Sequence, residues 1–512
     1  MRRLKISASI IVVLLVTACK QKETAATVHT ETVKENIINT IINDEDNFYH
    51  IDFENYPTND KTLPIGVFDS GTGGLTVLKA IVNYDQNNNK SLDNGGDGQL
   101  DFNNEAFIYL GDQANMPYGN YSEVEKVDLL KEHIIKDAQF LLGNKYYSDE
   151  LDKDANTDKK PVKALVIACN TATAYGKNYI EEFLKKADAN IKVIGVIDAG
   201  VRGTLEGIGK NEDAIVGVLA TAGTVSSKGY RNTILKLKDE MGYTGNIQVF
   251  SQGGVGIAEA VDEDLDYFNK NLETPREDYK GPGLEGNLKI DKTLFDIYNF
   301  DFESNKMLCD TKNTDDCSIM QINDAENYVR YHLVTLLEKI RKSGIANKLK
   351  SLILGCTHYP YMTEEINDIL QELYNYRSKN GDYLYRPFMV EEIRLIDPAV
   401  DTAKELYAHL KEESLFNPEG SMKESEFYIS VANQDNKANV IDQTGRFPYD
   451  FKYGRNAGEI QEYVKVVPFS RDNISDDILA RFQKQIPHVY QLMQNFNETN
   501  TKAKELRKES KI

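Results

Sequence analysis

Two cysteines of this chain stand in closely similar sequence surroundings. Cys169 ends the apolar run ALVIA and is followed by the polar pair NT, whereas Cys356 ends the run SLILG and is followed by TH. An apolar run of this length is typical of a buried strand, and the polar residues after it are typical of the first turn of a helix. The alternative interpretation is that each cysteine is a small core residue without chemistry.

A thiol at the carboxyl end of a parallel strand faces the crevice where open α/β sheets bind ligands. The helix N-terminus beside it favours anions and lowers a thiol pKa from about 8.5 toward neutrality. Two such thiols on opposite faces of a carbon acid can run a two-base racemisation, in which one thiolate removes the α-proton and the other thiol delivers a proton. Each sulfur must then lie about 3–3.5 Å from the α-carbon, which leaves the two thiols too far apart for a disulfide.

The elements that must position these thiols are short apolar runs alternating with helical patterns. The runs are PIGVFDSGTGG, EAFIYLGD, KALVIACNT and IKVIGVIDAG, and later AIVGVLATAGTV, NIQVFSQGG and KSLILGCTH. Strands separated by helices predict βαβ units and a parallel sheet. IGVFDSGTGG also resembles VGVLATAGTV, so both motifs of the first segment have a counterpart in the second, in the same order.

We therefore predict an α/β fold of two pseudo-symmetric, doubly wound parallel-sheet lobes with the active site between them, plus insertions and a C-terminal extension. The alternative is that any two parallel strands followed by glycine-rich turns look alike. The predicted boundaries are a signal peptide at 1–18, a flexible tether at 19–62, a first lobe at 63–198 that 390–411 joins, a second lobe at 199–389 with a polar insertion at 268–323, and an extension at 412–512.

The N-terminus MRRLKISASIIVVLLVTACK has a basic start, a short apolar run and the box VTAC. This is the layout of a secretory signal peptide. The box resembles a bacterial lipoprotein cleavage site, which would make Cys19 the lipid carrier; an ordinary cleavage site with an incidental Cys19 is the alternative. We expect an exported protein that is lipid-anchored to a bacterial membrane and faces the periplasm.

The net charge of the chain limits its possible binding partners, and two of its cysteines have no role so far. The chain of 512 residues has a formal net charge of −20, which argues against a nucleic-acid partner. Cys309 and Cys317 remain, and export permits a disulfide between them; two unpaired thiols are the alternative. The sequence leaves the oligomeric state open, with a homodimer as one choice.

Seven motifs in order carry a resemblance to the aspartate/glutamate racemase family, and above all to its glutamate-specific members. They are GVFDSGTGGLTVL, YLGDQANMPYG, ALVIACNTATA, VIGVIDAG, GVLATAGTVSSKGY, LILGCTHYP and LIDPAVDTAKEL. The resemblance implies an isomerase that needs no cofactor and racemises an amino acid, with glutamate as the expected substrate. Aspartate or another amino acid is the first alternative, and a lipoprotein that binds amino acids without turning them over is the second.

The resemblance also implies roles for particular residues. Cys169 and Cys356 would be the two acid/base residues, supported by Asp69 and His358. The substrate-binding positions would be Asp69, Ser70, Tyr118, Gly119, Asn170, Thr171, Thr173, Thr224, Thr357 and His358. The alternatives are a turn residue for Asp69, a helix-start partner for His358, and a simple turn for the pair Tyr118 and Gly119.

Two features depart from the family. After VFSQ the family usually shows Cys-Pro and then an acidic residue that assists the second cysteine, whereas this chain reads GGVGIAEAVDED, with Asp262 or Glu263 in loose alignment. Family members normally act in the cytoplasm, where they make D-glutamate for peptidoglycan, so an export signal is unusual.

One insertion has the composition of an ion-binding loop. DQNNNKSLDNGGDGQLDFNNE resembles an EF-hand calcium loop, with Asp85, Asp93, Asp97 and Asp101 as candidate ligands. It departs from that pattern at Gly95, where a ligand is expected, and it has no clean terminal glutamate. A solvated Asn/Gly loop is the alternative to a structural calcium site.

Overall fold

The structure is a computed structural model that describes residues 36–261, 266–311 and 313–512. Cys19 and the signal peptide, and the acidic residues Asp262 and Glu263, lie outside the described residues. Across the described ranges, no helix combines the length and the apolar character that crossing a membrane requires.

Strands and helices alternate through most of the described chain. The strands are β1 (Ile65–Asp69), β2 (Phe107–Gly111), β3 (Ala164–Ile167), β4 (Lys192–Gly195), β5 (Ala214–Ala220), β6 (Ile247–Gly253), β7 (Met307–Cys309), β8 (Met320–Ile322), β9 (Leu349–Gly355), β10 (Met389–Ile396), β11 (Glu426–Ala432) and β12 (Val464–Pro468).

The α-helices are numbered in the same way. They are α1 (Leu75–Val82), α2 (Gly119–Glu123), α3 (Val127–Leu142), α4 (Asn170–Lys186), α5 (Val196–Glu206), α6 (Ala222–Ser227), α7 (Gly229–Glu240), α8 (Ile257–Val261), α9 (Phe295–Tyr298), α10 (Ala325–Lys342), α11 (Thr363–Asn375), α12 (Pro398–Glu412), α13 (Tyr449–Gly454), α14 (Asp476–Gln485) and α15 (Pro487–Thr499).

The first sheet has the strand order β12–β11–β2–β1–β3–β4. Strands β1 to β4 and β11 run parallel, and β12 runs antiparallel at one edge. The residues of β1, β2 and β3 are buried throughout. Their nearly continuous aliphatic and aromatic sequences are those expected of parallel strands that helices cover on both faces.

The second sheet has the order β10–β9–β5–β6, and all its neighbouring strands are parallel. In the first sheet β1 lies beside β3, and in the second sheet β5 lies beside β9. The strands that carry the paired sequence motifs are therefore neighbours in both sheets. The predicted α/β fold with two parallel-sheet lobes is confirmed.

The C-terminal extension is an integral part of the first lobe. Strand β11 pairs in parallel with β2, and all of its residues except Val431 are buried. Helix α15 packs against β11 and α1. The sequence predicted only a C-terminal extension at 412–512; the run FYI in β11 supplies apolar surface on both faces, which is best buried inside a sheet.

Two other boundaries differ from the sequence-based prediction. Residues 390–411 do not join the first lobe as one unit, because β10 pairs with β9 of the second sheet while helix α12 packs on α1 and α5 of the first lobe. The tether expected up to residue 62 is packed from residue 36 onward. Ile37, Ile38 and Ile41 are buried in the first-lobe core, and their spacing is that of one face of a helix.

The polar insertion at 268–323 packs onto the second lobe. Its strands β7 and β8 form an antiparallel pair, and Tyr298, Met320 and Ile322 are buried in the second-lobe core. Cys309 and Cys317 form a disulfide in the structure. The bond closes the loop between these two strands.

The extension gives a direct test of this architecture. Phe427 in β11 is fully buried, so Phe427→Ala should lower the free energy of unfolding by about 3–5 kcal/mol, the usual cost of removing a buried phenylalanine side chain. Phe302→Ala is the control, because Phe302 is 37% exposed and its loss should cost less than about 1 kcal/mol. Urea unfolding measures both values. A loss below about 1 kcal/mol for Phe427→Ala would show that the extension is peripheral.

Candidate active site

Cys169 lies where strand β3 gives way to helix α4. It is the N-cap residue of α4, and its Sγ accepts a hydrogen bond from the backbone N–H of Ala172 at 3.4 Å. Its S–H donates to Ser70 Oγ at 3.7 Å. Only 7% of Cys169 is exposed. A cysteine in place of the usual Ser, Thr or Asp cap puts a thiol at a position where an anion is favoured.

Asp69 ends strand β1, beside β3, and lies against this thiol. Its Oδ2 accepts hydrogen bonds from the N–H groups of Gly71 at 3.2 Å and Gly74 at 2.9 Å. Burial raises the pKa of the Asp69 carboxyl, and the N–H of Gly74 and the Cys169 thiol offset part of that rise. The DSGTGG turn thus holds one carboxylate beside one thiol.

The surroundings raise the pKa of Cys169 to about 12, which differs from the shift toward neutrality expected from the sequence. Burial is the main cause and the charge of Asp69 adds to it, while the N–H of Ala172 and the Ser70 hydroxyl oppose it. The helix N-terminus acts in the expected direction but is outweighed. In this state Cys169 is a thiol, and the Asp69 carboxyl lies beside it.

Cys356 follows strand β9 and is also 7% exposed. Its Sγ lies 3.7 Å from Nδ1 of His358, and the same ring nitrogen lies 3.4 Å from Thr357 Oγ1. The sequence motif therefore brings the second thiol and its predicted imidazole partner into contact. An imidazole nitrogen in contact with a thiol can give it a proton or take one from it.

The two lobes meet at these motifs. The Asn170 side chain donates from Nδ2 to the carbonyl of Gly355 at 3.2 Å, and its Oδ1 accepts from the Tyr230 hydroxyl at 3.0 Å. Gly73 of the first-lobe turn approaches Thr357, because a Cβ on this glycine would lie 3.9 Å from Thr357 Oγ1. Asn170, Cys356 and Thr357 line one cleft.

The structure gives two of the predicted substrate-binding threonines other partners. Thr173 is buried, and its hydroxyl donates to the carbonyl of Cys169 at 2.9 Å, so it fixes the first turn that carries the thiol. Thr224 is also buried, and its backbone N–H and its hydroxyl both contact Oγ1 of Thr221 at the start of α6. Thr171 is half-buried at the start of α4, next to Cys169.

Tyr118 and Gly119 lie where helix α2 begins. The Tyr118 hydroxyl lies 2.6 Å from Asp112 Oδ2 and 2.6 Å from Asp137 Oδ2, and the side chain is 1% exposed. Its phenol is therefore engaged inside the lobe. Of this pair, the backbone and the open side of Gly119 remain available to a ligand, since a Cβ there would meet no atom within 4 Å.

The segment that departs from the family contains an acidic residue that the sequence comparison passed over. Glu259 lies in helix α8, and its Oε2 accepts from the N–H of Gly256 at 2.9 Å. Burial is the main cause that raises the pKa of Tyr359, and the charges of Cys356 and Glu259 add to it, so these two groups share one neighbour. Tyr359 in turn donates to the carbonyl of Gly254 at 3.0 Å. The sequence signal for Glu259 is the acidic residue of AEAV, which comes just before Asp262 and Glu263.

The carboxylates of the candidate calcium loop bind backbone N–H groups. Asp85 accepts from the N–H groups of Asp97 and Gly98, and Asp101 accepts from those of Gln86 and Asn87. Within the part of the chain that the structure describes, these carboxylates do not form a group close enough together to share one metal ion. The loop is therefore a poor fit for calcium as it is folded, and calcium binding there stays a prediction.

Known proteins that are similar to this chain in sequence or structure include several glutamate racemases. No family model matches the chain. A glutamate racemase of Levilactobacillus brevis is 28% identical over 367 residues, which cover 72% of this chain and 86% of that protein. A glutamate racemase of Thermoanaerobacter pseudethanolicus is 26% identical over 375 residues, covering 73% and 89%. The crystal structure of glutamate racemase from Francisella tularensis in complex with D-glutamate aligns with a TM-score of 0.39 and 24% identity, covering 78% of this chain and 93% of that one.

The chain is similar to glutamate racemases. A match of 367 residues is longer than either predicted lobe, so it extends into both. The resemblance read from the seven motifs is thereby confirmed as sequence similarity. The roles of the individual residues stay predictions that rest on the geometry above.

The Asp69–Cys169 contact predicts opposite effects of two neighbouring variants. Asp69→Asn removes a negative charge that raises the pKa of Cys169, so that pKa should fall. Ser70→Ala removes a hydroxyl that lowers it, so that pKa should rise further. Thiolate absorbance at 240 nm across a pH titration measures both, in a background that carries Cys19→Ala and Cys356→Ser. A rise in Asp69→Asn would contradict the charge assignment.

Proposed function

We propose that this protein is an amino-acid racemase that interconverts L- and D-glutamate by a two-thiol, two-base proton transfer. The protein is an isomerase of the glutamate racemase type. The observation that carries the mechanism is the pair of buried thiols at the carboxyl ends of β3 and β9, each with its own proton partner. A protein that only bound amino acids would need no such pair.

Substrate binding follows from the groups around the two thiols. The helix start at Asn170 and Thr171 and the segment after Cys356 offer backbone N–H groups and hydroxyls, which suit carboxylates. Until it takes the proton of Cys169, the Asp69 carboxylate supplies a negative charge for the α-ammonium group. That ammonium group would also offset the charge that raises the pKa of Cys169, so binding would make its thiolate more accessible.

The proton transfer uses one thiol on each face of the α-carbon. In one direction the Cys169 thiolate, after passing its proton to Asp69, removes the α-proton, and the Cys356 thiol donates a proton to the opposite face. In the other direction His358 takes the proton from Cys356, and the roles reverse. All acid/base groups of this scheme belong to the chain itself, so the scheme needs no cofactor.

The first prediction of this mechanism concerns the thiols. Cys169→Ser and Cys356→Ser should each lower kcat for glutamate racemisation by at least about 10³-fold, because a hydroxyl is a far weaker acid and its alkoxide is out of reach near neutral pH. Circular dichroism of the amino acid measures the rate. Cys309→Ser with Cys317→Ser is the matched control and should keep the activity. Near wild-type rates in either single variant would contradict the two-base mechanism.

The substrate assignment has its own test. A panel of L- and D-amino acids, assayed for deuterium uptake at the α-carbon in D2O, separates the candidates. We expect glutamate to give the highest kcat/KM. A higher value for aspartate or another amino acid would move the assignment to that substrate, and uptake with none of them would favour an amino-acid-binding lipoprotein.

We further propose that the protein is exported and held at a bacterial membrane through a lipid on Cys19, which lies outside the described residues. The support is the basic start, the apolar run and the VTAC box of the sequence. The disulfide of Cys309 and Cys317 agrees with an oxidising compartment. There the enzyme would act on free amino acids outside the cytoplasm, in contrast to a cytoplasmic role in peptidoglycan precursor synthesis.

The anchor is tested at one residue. Cys19→Ala should abolish incorporation of labelled fatty acid and release the protein from the membrane fraction, because the acyl chains supply the hydrophobic attachment. Racemase activity should be unchanged in that soluble form. Membrane retention equal to that of wild type would contradict the lipoprotein assignment.

A further inference from the structure

The C-terminal extension holds the loop that precedes Tyr118 and Gly119. Lys452 Nζ donates to the carbonyl of Met116 at 2.6 Å, and the Tyr453 hydroxyl donates to the carbonyl of Pro117 at 3.2 Å. Arg455 Nη2 donates to Asn115 Oδ1 at 2.7 Å. We call Lys452, Tyr453 and Arg455 the strap. Successive residues of the loop, from Asn115 to Pro117, each accept one of its hydrogen bonds.

Strand β11 of the same extension fixes the start of this loop. The hydroxyl of Ser430 donates to Asp112 Oδ1 at 2.6 Å and accepts from the N–H of Ala114 at 2.9 Å. Asp112 also accepts from the Tyr118 hydroxyl. The loop is thus held by the extension at both ends, while Tyr118 ties it back to the first lobe.

The strap itself is well supported. Arg455 is 5% exposed, and its guanidinium carbon lies 4.8 Å from the ring centre of Phe447 and 5.0 Å from that of Tyr463. Stacking on two rings restricts the guanidinium, so its bond to Asn115 costs little further ordering. The backbone carbonyl of Arg455 also accepts from Lys126 Nζ at 3.1 Å, which joins the strap to the first lobe beyond α2.

We infer that the C-terminal extension is a positioning element for substrate binding: the strap fixes the backbone that leads into Tyr118 and Gly119, the pair predicted to bind substrate. This inference rests on the proposed racemase function. Because the Tyr118 phenol is engaged by Asp112 and Asp137, this pair can reach a ligand only through its backbone, and the peptide units just before it are the ones that the strap holds. Helix α2, which starts at Gly119, packs on α6 of the second lobe. The strap therefore acts where the two lobes contact each other.

The thiols do not depend on this loop. Cys169 is held by β3 and the first turn of α4, and Cys356 follows β9 of the other lobe. Loosening the strap should therefore weaken substrate binding and leave the proton-transfer step nearly unchanged. This split between KM and kcat distinguishes positioning from a general loss of structure.

The test is the double variant Lys452→Met with Tyr453→Phe, which removes both hydrogen bonds to the loop carbonyls and keeps the volume of the side chains. We expect KM for glutamate to rise about fivefold to tenfold and kcat to change by less than about twofold. Tyr449→Phe is the matched control, because Tyr449 is on the same helix and is 57% exposed. Lys452→Arg, which keeps a donor for the Met116 carbonyl, should stay near wild type.

A second readout does not depend on turnover. Amide hydrogen exchange of the substrate-free protein should become at least about tenfold faster in the peptide that covers residues 112–121 of the double variant, with peptides over β3 and β9 unchanged. Unchanged exchange in 112–121, or faster exchange throughout the first lobe, would overturn the inference. If the wild type racemises no amino acid, the proposed function fails, and the exchange experiment still decides whether the strap holds the loop.

Discussion

The candidate active site of this structure depends on the carboxyl ends of two pairs of parallel strands. Strands β1 and β3 end side by side at Asp69 and Cys169, and strands β5 and β9 end side by side in the other lobe, where Cys356 follows β9. Parallel pairing forces neighbouring strands to end at the same edge of a sheet, so a carboxylate and a thiol from distant parts of the chain are brought together without a dedicated loop. A site between the lobes also requires that these two sheet edges face each other. The contacts of Asn170 and Gly73 with the second lobe hold them in that position.

The first thiol lies in an electrostatic conflict. Its helix N-terminus favours a thiolate, whereas burial and Asp69 favour the thiol, and the second pair of effects is larger. In the proposed mechanism this thiol gives and takes a proton, and one added positive charge would change the balance. The α-ammonium group of an amino acid carries that charge. The second thiol has an imidazole as its neighbour and no comparable carboxylate contact among those described for it.

The parts of the structure that local sequence patterns could predict are those in which one short segment decides the geometry. The apolar runs that end at Cys169 and Cys356 are such segments, and so is the DSGTGG turn that wraps Asp69. Pairing between strands that are far apart in the sequence could not be predicted from such patterns. The sequence FYISVA does not indicate that β11 pairs with β2, a strand over three hundred residues earlier in the chain. The burial of Ile37 depends in the same way on the first-lobe core, which is built from distant segments. The pKa of Cys169 differs from the sequence-based expectation for a related reason. A helix N-terminus can be predicted from the sequence, whereas the extent of burial of the thiol cannot.

The central claim is that two different groups act on opposite faces of one α-carbon, and the fate of the α-hydrogen in D2O tests it most directly. The account predicts that L-glutamate, followed at early times, gives D-glutamate that already carries deuterium at the α-carbon, while the remaining L-glutamate keeps its protium. The same should hold in the reverse direction, starting from D-glutamate. D-glutamate that retains the substrate's own α-protium would mean that a single base serves both faces, and would contradict the account.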